Sequence, residues 1–527
     1  MSPFRFGASD TAMNSDQNLV AQQLAGALLR PISVGVANRR DQLLDLARKA
    51  LGQGLAAKAL PLLEALVRAY PTDPEVALIH GVALRREQRF VEAAEVFSRA
   101  LAVGVDTPAL REGLAQTHYE LGRPAAALFG EARKSGPANL ELLRNHAMAL
   151  AAEGERGLAE AMLEEALAAN PSWLDGHRAL SVMRWTGGDQ ARHVESYVKA
   201  VAQEPASSEL WLAWFRALAQ IRDWKGARDV LARAEQSLGP TPALTVSRLF
   251  VASESGEAAE TESLLRSTAA LQGETINLIR VRHALRQVQP EIAEAVCLQH
   301  LLGPSAPLFW PYLSLAWRLT EDPRAYWIDR PDQFIQSCWV DLTTEELDEL
   351  AQLLRQLHVM DRPYVEQSVR GGTQTDRSVI QRHEPIIQLA KARWLATIRD
   401  YVDRLPAFEQ GHPLLGLPRT SLLIEGSWSV LLRSQGYNVP HNHPVGWLST
   451  AFYIALPSAG QMGPAPAGHI AFGTPPEELG LDLQPYGTIQ PELGVTAVFP
   501  STMWHRTMPF DDGERLVLAM DIARPRY

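Results

Sequence analysis

Residues 441–447 read HNHPVGW. Two histidines at i and i+2 on an extended segment project from one face. His441 and His443 are therefore either a coincidence of composition or two legs of a metal site. A third candidate, His505, stands in FPSTMWHRTMPF, 62 residues beyond His443, and Arg515 follows ten residues after it. Two near ligands on one strand and a distant third on another are how a small barrel builds a facial site. Three ligands then take one side of the ion and leave the opposite positions open. Most of the 14 histidines are to be read as surface or satisfied core residues. His441 and His443 stand apart by their alternation, and His505 by its context. Arg515 could belong to a surface ion pair, but its spacing from His505 favours a carboxylate-binding role, for which a planar guanidinium is suited.

Such a site needs strands to carry it. From about Ala325 the chain becomes richer in Trp, Pro, Gly and His. Two helical segments, TTEELDELAQLLRQL and EPIIQLAKARWLATIRDYVDRL, come first. Short β-rich segments follow: TSLLIEG, SWSVLLRS, WLSTAFYIAL, GHIAFG, GVTAVFP and RLVLAMDIA. Many short strands broken by Gly/Pro turns indicate a sandwich or barrel. RGGTQT (370–375) reads as a turn whose glycines allow positive φ. Trp428, Trp447 and Trp504 read as core or pocket wall, and His469 as structural.

The preceding part has a different grammar. From about Asp41 to Pro323 it is rich in Ala, Leu, Glu and Arg at helical spacing. Pro74, Pro108, Pro137, Pro171, Pro205 and Pro240 mark a register with steps of 34, 29, 34, 34 and 35 residues. A 34-residue helix–turn–helix period is the signature of tetratricopeptide repeats. Such helix pairs bury their apolar faces only against neighbours, and their concave surface commonly holds a peptide or protein. Support of the following domain or self-association is the alternative role.

At 527 residues the chain exceeds one core, and 46% hydrophobic with 21% charged residues is ordinary for a globular protein. A net charge of −10 argues against general nucleic-acid binding. Two cysteines, Cys297 and Cys338, make no disulfide framework and suit a reducing compartment, here the cytoplasm. Neither a signal peptide nor a membrane span is expected. Residues 1–18 are polar and expected to be disordered. No Walker loop, dinucleotide-binding glycine motif, nucleophile elbow or Cys/His zinc spacing competes with the histidines.

Four stretches carry a resemblance: RGGTQT (370–375), GSWSVLLRSQGYNVPHNHPVGWLSTAFYIALP (426–457), HIAFGTPP (469–476) and VFPSTMWHRTMPFDDGERLVLAMDIA (498–523). Together they make residues 325–527 resemble the bacterial 2-oxoglutarate- and iron(II)-dependent oxygenases found behind tetratricopeptide repeats. The expected fold is α+β and multidomain. An all-α tetratricopeptide solenoid over 19–324 precedes a double-stranded β-helix, or jelly roll, with flanking helices over 325–527. The resemblance implies Fe(II), 2-oxoglutarate and O2 as cofactor and cosubstrates. It implies His441 and His505 as iron ligands and Arg515 as the grip on the far carboxylate of 2-oxoglutarate. Tyr453 would add a hydroxyl there or be a packed strand residue. One departure stands out. The usual first motif is His-x-Asp/Glu, and here the third position is His443. It either ligates iron in place of the carboxylate or stands behind the ligands. The implied activity is hydroxylation of a peptide or protein side chain recruited by the repeats. The alternative is a tetratricopeptide scaffold whose barrel has lost catalysis.

Overall fold

The structure, a computed structural model, describes residues 15–29, 39–360, 362, 365, 367–420 and 422–525. Of the stretch expected to be disordered, residues 1–14 lie outside the described residues. The chain is helical from Ser15, in Ser15–Leu28. The fold divides into two compact units. Among the described residues, one comprises 167–380 and 389–525, and the other comprises 15–166 together with 381–388.

The second of these units is built of helix pairs. Pro74–Arg86 packs with Phe90–Ala102, and Pro108–Glu120 with Ala126–Ser135. Of the register prolines, Pro137, Pro171, Pro205 and Pro240 lie in turns between helices, whereas Pro74 and Pro108 open helices. Pro74 and Pro108 occupy the first helical turn, where the missing N–H costs nothing. Each follows a capping side chain. Asp73 accepts from Glu75 N at 2.9 Å, and Thr107 from Leu110 N at 3.3 Å. Asn139 repeats the device with Glu141 N at 2.9 Å. Each such cap is worth about 1 kcal/mol. Phe97 shows why small residues recur. Its fully buried ring sits against Gly81 and Gly113, where a Cβ would lie 2.2 and 2.8 Å from the ring. The segment 381–388 joins this unit through His383, whose backbone N and ring Nδ1 both donate to Leu121 O, at 3.0 and 2.9 Å.

The other unit continues the pattern of helices and adds the sheet. Ser207 caps Ser208–Gln220 and Thr241 caps Pro242–Glu254, the same device at the same 34-residue spacing. Nine strands follow: β1 (Gln336–Trp339), β2 (Val369–Gln374), β3 (Ile424–His441), β4 (Gly446–Ala455), β5 (Ile470–Phe472), β6 (Gly487–Ile489), β7 (Val495–Pro500), β8 (His505–Thr507) and β9 (Glu514–Ala523). All pairings are antiparallel, in the order β1-β7-β4-β9-β3-β8-β5-β6, with β2 on β3. This is a rolled, jelly-roll arrangement. The expected helices appear as Thr344–Gln356, opened by a Thr343/Glu346 capping box, and Pro385–Arg404.

The roll depends on β3. Its first half pairs with β9 from Ile424 to Arg433, and its second half pairs with β8 at Asn438 and His441. A strand that changes partners must bend between them. The bend falls at Gln435, with φ +61, and Gly436, where a Cβ would meet Arg433 O at 2.6 Å and Gly371 O at 2.8 Å. RGGTQT is correspondingly not a turn. It forms β2, and its positive φ, +68 at Gly371, belongs to a bulge against β3. The glycines are required by close backbone approach, since a Cβ at Gly372 would lie 2.2 Å from Leu431 O.

Candidate metal centre

The bend in β3 delivers His441 to the end of its strand, directly opposite His505 at the start of β8. His443 lies just beyond, in the turn to β4, with its backbone N donating to Ser501 O at 2.7 Å. The three imidazoles converge. Ring centroids are 5.0 Å apart for 441–443, 4.2 Å for 441–505 and 5.1 Å for 443–505. One nitrogen from each lies within 4.8 Å of the others.

Hydrogen bonds identify which nitrogen of each ring is available. His441 Nδ1 lies 2.7 Å from Val439 O, and His505 Nδ1 lies 3.0 Å from Met503 O. A carbonyl only accepts, so both Nδ1 atoms carry the proton. His443 Nδ1 lies 2.9 Å from the Asp521 carboxylate and 3.1 Å from Ser449 Oγ. A carboxylate likewise only accepts, so His443 Nδ1 also carries its proton. In each ring Nε2 is thereby the nitrogen that stands clear of the Nδ1 hydrogen bond. His441 Nε2 meets Ser368 Oγ at 3.3 Å, a hydroxyl that also accepts from Asn438 Nδ2 at 2.9 Å. Burial, with help from His443, pushes His441 down to about 3. Burial and the neighbouring imidazoles hold His505 well below its ordinary value. Neutral, pre-oriented imidazoles are what a divalent transition-metal ion needs.

Arg515 and Tyr453 lie elsewhere in the roll. β9 passes β3 with Arg515 opposite Leu432, short of the bend, and with Asp521 opposite Gly426. Arg515 is 2% exposed, and its guanidinium carbon stands 5.1 Å from the Tyr453 ring centre. Among the described residues no carboxylate pairs with it, and Arg515 Nε and the Tyr453 hydroxyl both lack a hydrogen-bond partner. The hydroxyl is near enough to favour the charge on Arg515 without an aligned hydrogen bond. Burial pushes Arg515 down and Tyr453 up.

A groove of about 760 Å³ opens onto His441 and His443. One wall is β-sheet, with Trp428, whose ring meets His443 edge-on at 5.3 Å. The other wall is helical, with Trp185, Trp224 and Phe250. Trp224 and Phe250 pack edge to face at 6.3 Å. Trp447 and Trp504 are buried, their indoles donating to Leu414 O at 3.0 Å and Pro311 O at 3.1 Å. His469 bonds Thr488 Oγ1 at 3.0 Å. Sequence reasoning did not single out Asp521, Ser449 or the helical aromatics of the groove. Asp521 shares the Arg515 face of β9 by strand alternation, which was the available signal.

Comparisons with known proteins bear on both parts of the chain. Residues 426–521 match the family described as "Putative 2OG-Fe(II) oxygenase". Residues 44–104 and 88–140 match the tetratricopeptide repeat. No curated protein matches the chain. Among solved structures, MamA (41-end) from Desulfovibrio magneticus RS-1 is 16% identical, covering 33% of this chain and 99% of its own, with a TM-score of 0.30. A tetratricopeptide repeat protein from Parabacteroides merdae is 17% identical over 49% of this chain and 98% of its own, at 0.29. YrrB, described as a TPR protein with an unusual peptide-binding site, is 17% identical over 37% of this chain and 98% of its own, at 0.29. The repeat assignment rests on the family match and on the capped helix pairs. The chain thus joins a segment that matches the tetratricopeptide repeat to one that matches the family described as "Putative 2OG-Fe(II) oxygenase".

Proposed function

We propose that the protein is an iron(II)- and 2-oxoglutarate-dependent dioxygenase that hydroxylates a peptide or protein side chain. In this reading repeats over 19–324 recruit the substrate, and the domain over 325–527 oxidises it. The carrying observation is the convergence of the three histidines, with every Nδ1 engaged in a hydrogen bond and one nitrogen of each ring within 4.8 Å of the others. His441, His443 and His505 would hold the ion. Arg515 and Tyr453 fit the cosubstrate. A buried guanidinium without a carboxylate costs several kcal/mol, and a bidentate carboxylate with an adjacent hydroxyl donor would relieve it.

Bound iron(II) supplies a centre where 2-oxoglutarate and O2 meet, coupling decarboxylation of the acid to oxidation of a C–H bond. The chain's own groups do the rest. Arg515 fixes the far end of the diacid by a two-pronged contact that lysine could not reproduce. The three backbone and side-chain acceptors hold the imidazoles in one tautomer. Trp428 packs edge-on against His443 and limits where that ring can turn. The aromatic walls of the groove give an extended chain a path to the site.

The test is anaerobic titration with iron(II) and 2-oxoglutarate. A visible charge-transfer band is expected, abolished in His441→Ala and weakened in Arg515→Ala. Incubation with lysate should then give 2-oxoglutarate-dependent products heavier by about 16 Da, with succinate. Absence of both band and succinate would leave the scaffold reading.

A further inference from the structure

We propose that Asp521 returns, through His443, the negative charge that a histidine at 443 withholds from the ligand set, so that 443 and 521 act as one exchangeable unit. The inference rests on the metal reading of the triad.

Asp521 is 7% exposed and sits on β9 beneath the site. Both of its oxygens lie 2.9 Å from His443 Nδ1. Ser449 Oγ donates to Oδ1 at 2.6 Å, so it cannot also donate to Ser501. The Ser501 hydroxyl lies 3.0 Å from Ser449 Oγ. The cluster is oriented toward the carboxylate, and through it toward His443. Gly446 makes room for it, because a Cβ there would lie 2.5 Å from Ser501 Oγ.

This carboxylate has no lysine or arginine partner among the described residues; its one basic neighbour is His443. The hydrogen bonds from His443 and Ser449 satisfy its oxygens, but neither lysine nor arginine brings a permanent positive charge against it. A cation on the far nitrogen of that imidazole supplies what is missing. The charge arithmetic agrees. A divalent ion with two histidines and one carboxylate carries a net single positive charge. Three histidines raise it to two, and Asp521, one hydrogen bond away, restores one. Hydrogen bonding to a carboxylate also makes the imidazole a stronger donor, as in carboxylate–histidine–metal triads.

Asp521 is thus a positioning residue, and its defining property is that its effect should change sign with the residue at 443. In the native background, Asp521→Asn should weaken cobalt(II) or iron(II) binding by about 10- to 100-fold and shift the cobalt(II) ligand-field spectrum. In a His443→Asp background the ligand carboxylate meets a second one, and Asp521→Asn should strengthen metal binding. Anaerobic titration of the four full-length proteins reads both effects, and thermal unfolding without metal confirms that each is folded. Sign reversal supports the unit. Equal metal affinity for the native protein and Asp521→Asn, or weakening in both backgrounds, overturns it and leaves Asp521 a packing residue. Failure of the native protein to bind either ion overturns the metal reading itself, and this inference with it.

Discussion

Two ends of one strand carry buried charges in opposite conditions. At one end of β9, Asp521 is held by His443 and Ser449. Six residues earlier, Arg515 is buried as deeply and its Nε has no partner. The two share a face of the strand and a fold, so local structure does not explain the difference. What differs is whether the chain itself supplies the counterpart. A satisfied buried charge orients its neighbours, whereas an unsatisfied one raises the free energy of the empty protein and stores affinity for a ligand of opposite sign.

The comparison breaks most visibly at Arg515. Arg515→Met should weaken 2-oxoglutarate binding by about 100-fold or more, the scale of losing one side of a buried charge pair. The same variant should make the ligand-free protein more stable, by about 1 kcal/mol, since an uncompensated charge is removed. Anaerobic equilibrium titration and thermal unfolding measure the two effects. Unchanged 2-oxoglutarate affinity would mean that Arg515 does not serve the cosubstrate. Asp521→Ala should move stability the other way. It removes the carboxylate that His443 Nδ1 and Ser449 Oγ share, leaving only their contacts of 3.1 Å with each other and 3.0 Å with Ser501 Oγ, at a cost of about 1 kcal/mol in the ligand-free protein. If both variants shift unfolding in the same direction, the contrast between the two ends of β9 is lost.

A third change tests the groove rather than the strand. Trp224→Ala removes an aromatic side chain from the helical wall. Once a peptide substrate is in hand, its KM should rise about tenfold, the ordinary effect of truncating a contacting tryptophan. An unchanged KM would place the substrate outside this wall.

These contrasts also show what the sequence could and could not disclose. His441 and His443 were legible because strand alternation is local and needs no partner. The repeats were legible because their caps and prolines recur at a fixed interval, as at Asp73, Thr107 and Thr241. The continuity of β3 was not. TSLLIEG and SWSVLLRS read as separate segments, yet Ile424–His441 is one strand bent at Gln435 and Gly436 without any proline to mark it. β8 has only three residues, too few for a period to show. Asp521 was hidden for another reason. β9 is buried along most of its length, so its polar member looked incidental until His443, 78 positions earlier in the chain, was brought beside it. Trp185, Trp224 and Phe250 carried no signal in the sequence, and only the fold places them in the groove that opens onto the histidines.

The smallest predicted effect isolates burial without ligand chemistry. His358 bridges Thr373 Oγ1 at 2.8 Å and Ser429 Oγ at 3.0 Å, pinning β2 to β3 behind the site. Both partners are hydroxyls, which serve a neutral or a charged ring equally, so hydrogen bonding does not choose its state. Burial does, pushing it from 6.5 to about 4. The unfolded chain therefore binds a proton that the folded chain refuses. The associated stability is complete above about pH 6.5 and is lost as pH falls toward about 4. His412, pushed down to about 3 by burial and Arg330, adds to the same slope. His358→Gln keeps a donor and an acceptor but cannot titrate. Between about pH 7.5 and about pH 5.5 it should lose less stability than the native protein, by on the order of 1 kcal/mol. Chemical denaturation of metal-free protein at the two pH values measures this. Parallel losses would show that the acid sensitivity of this unit arises elsewhere than in the histidine that clamps β2.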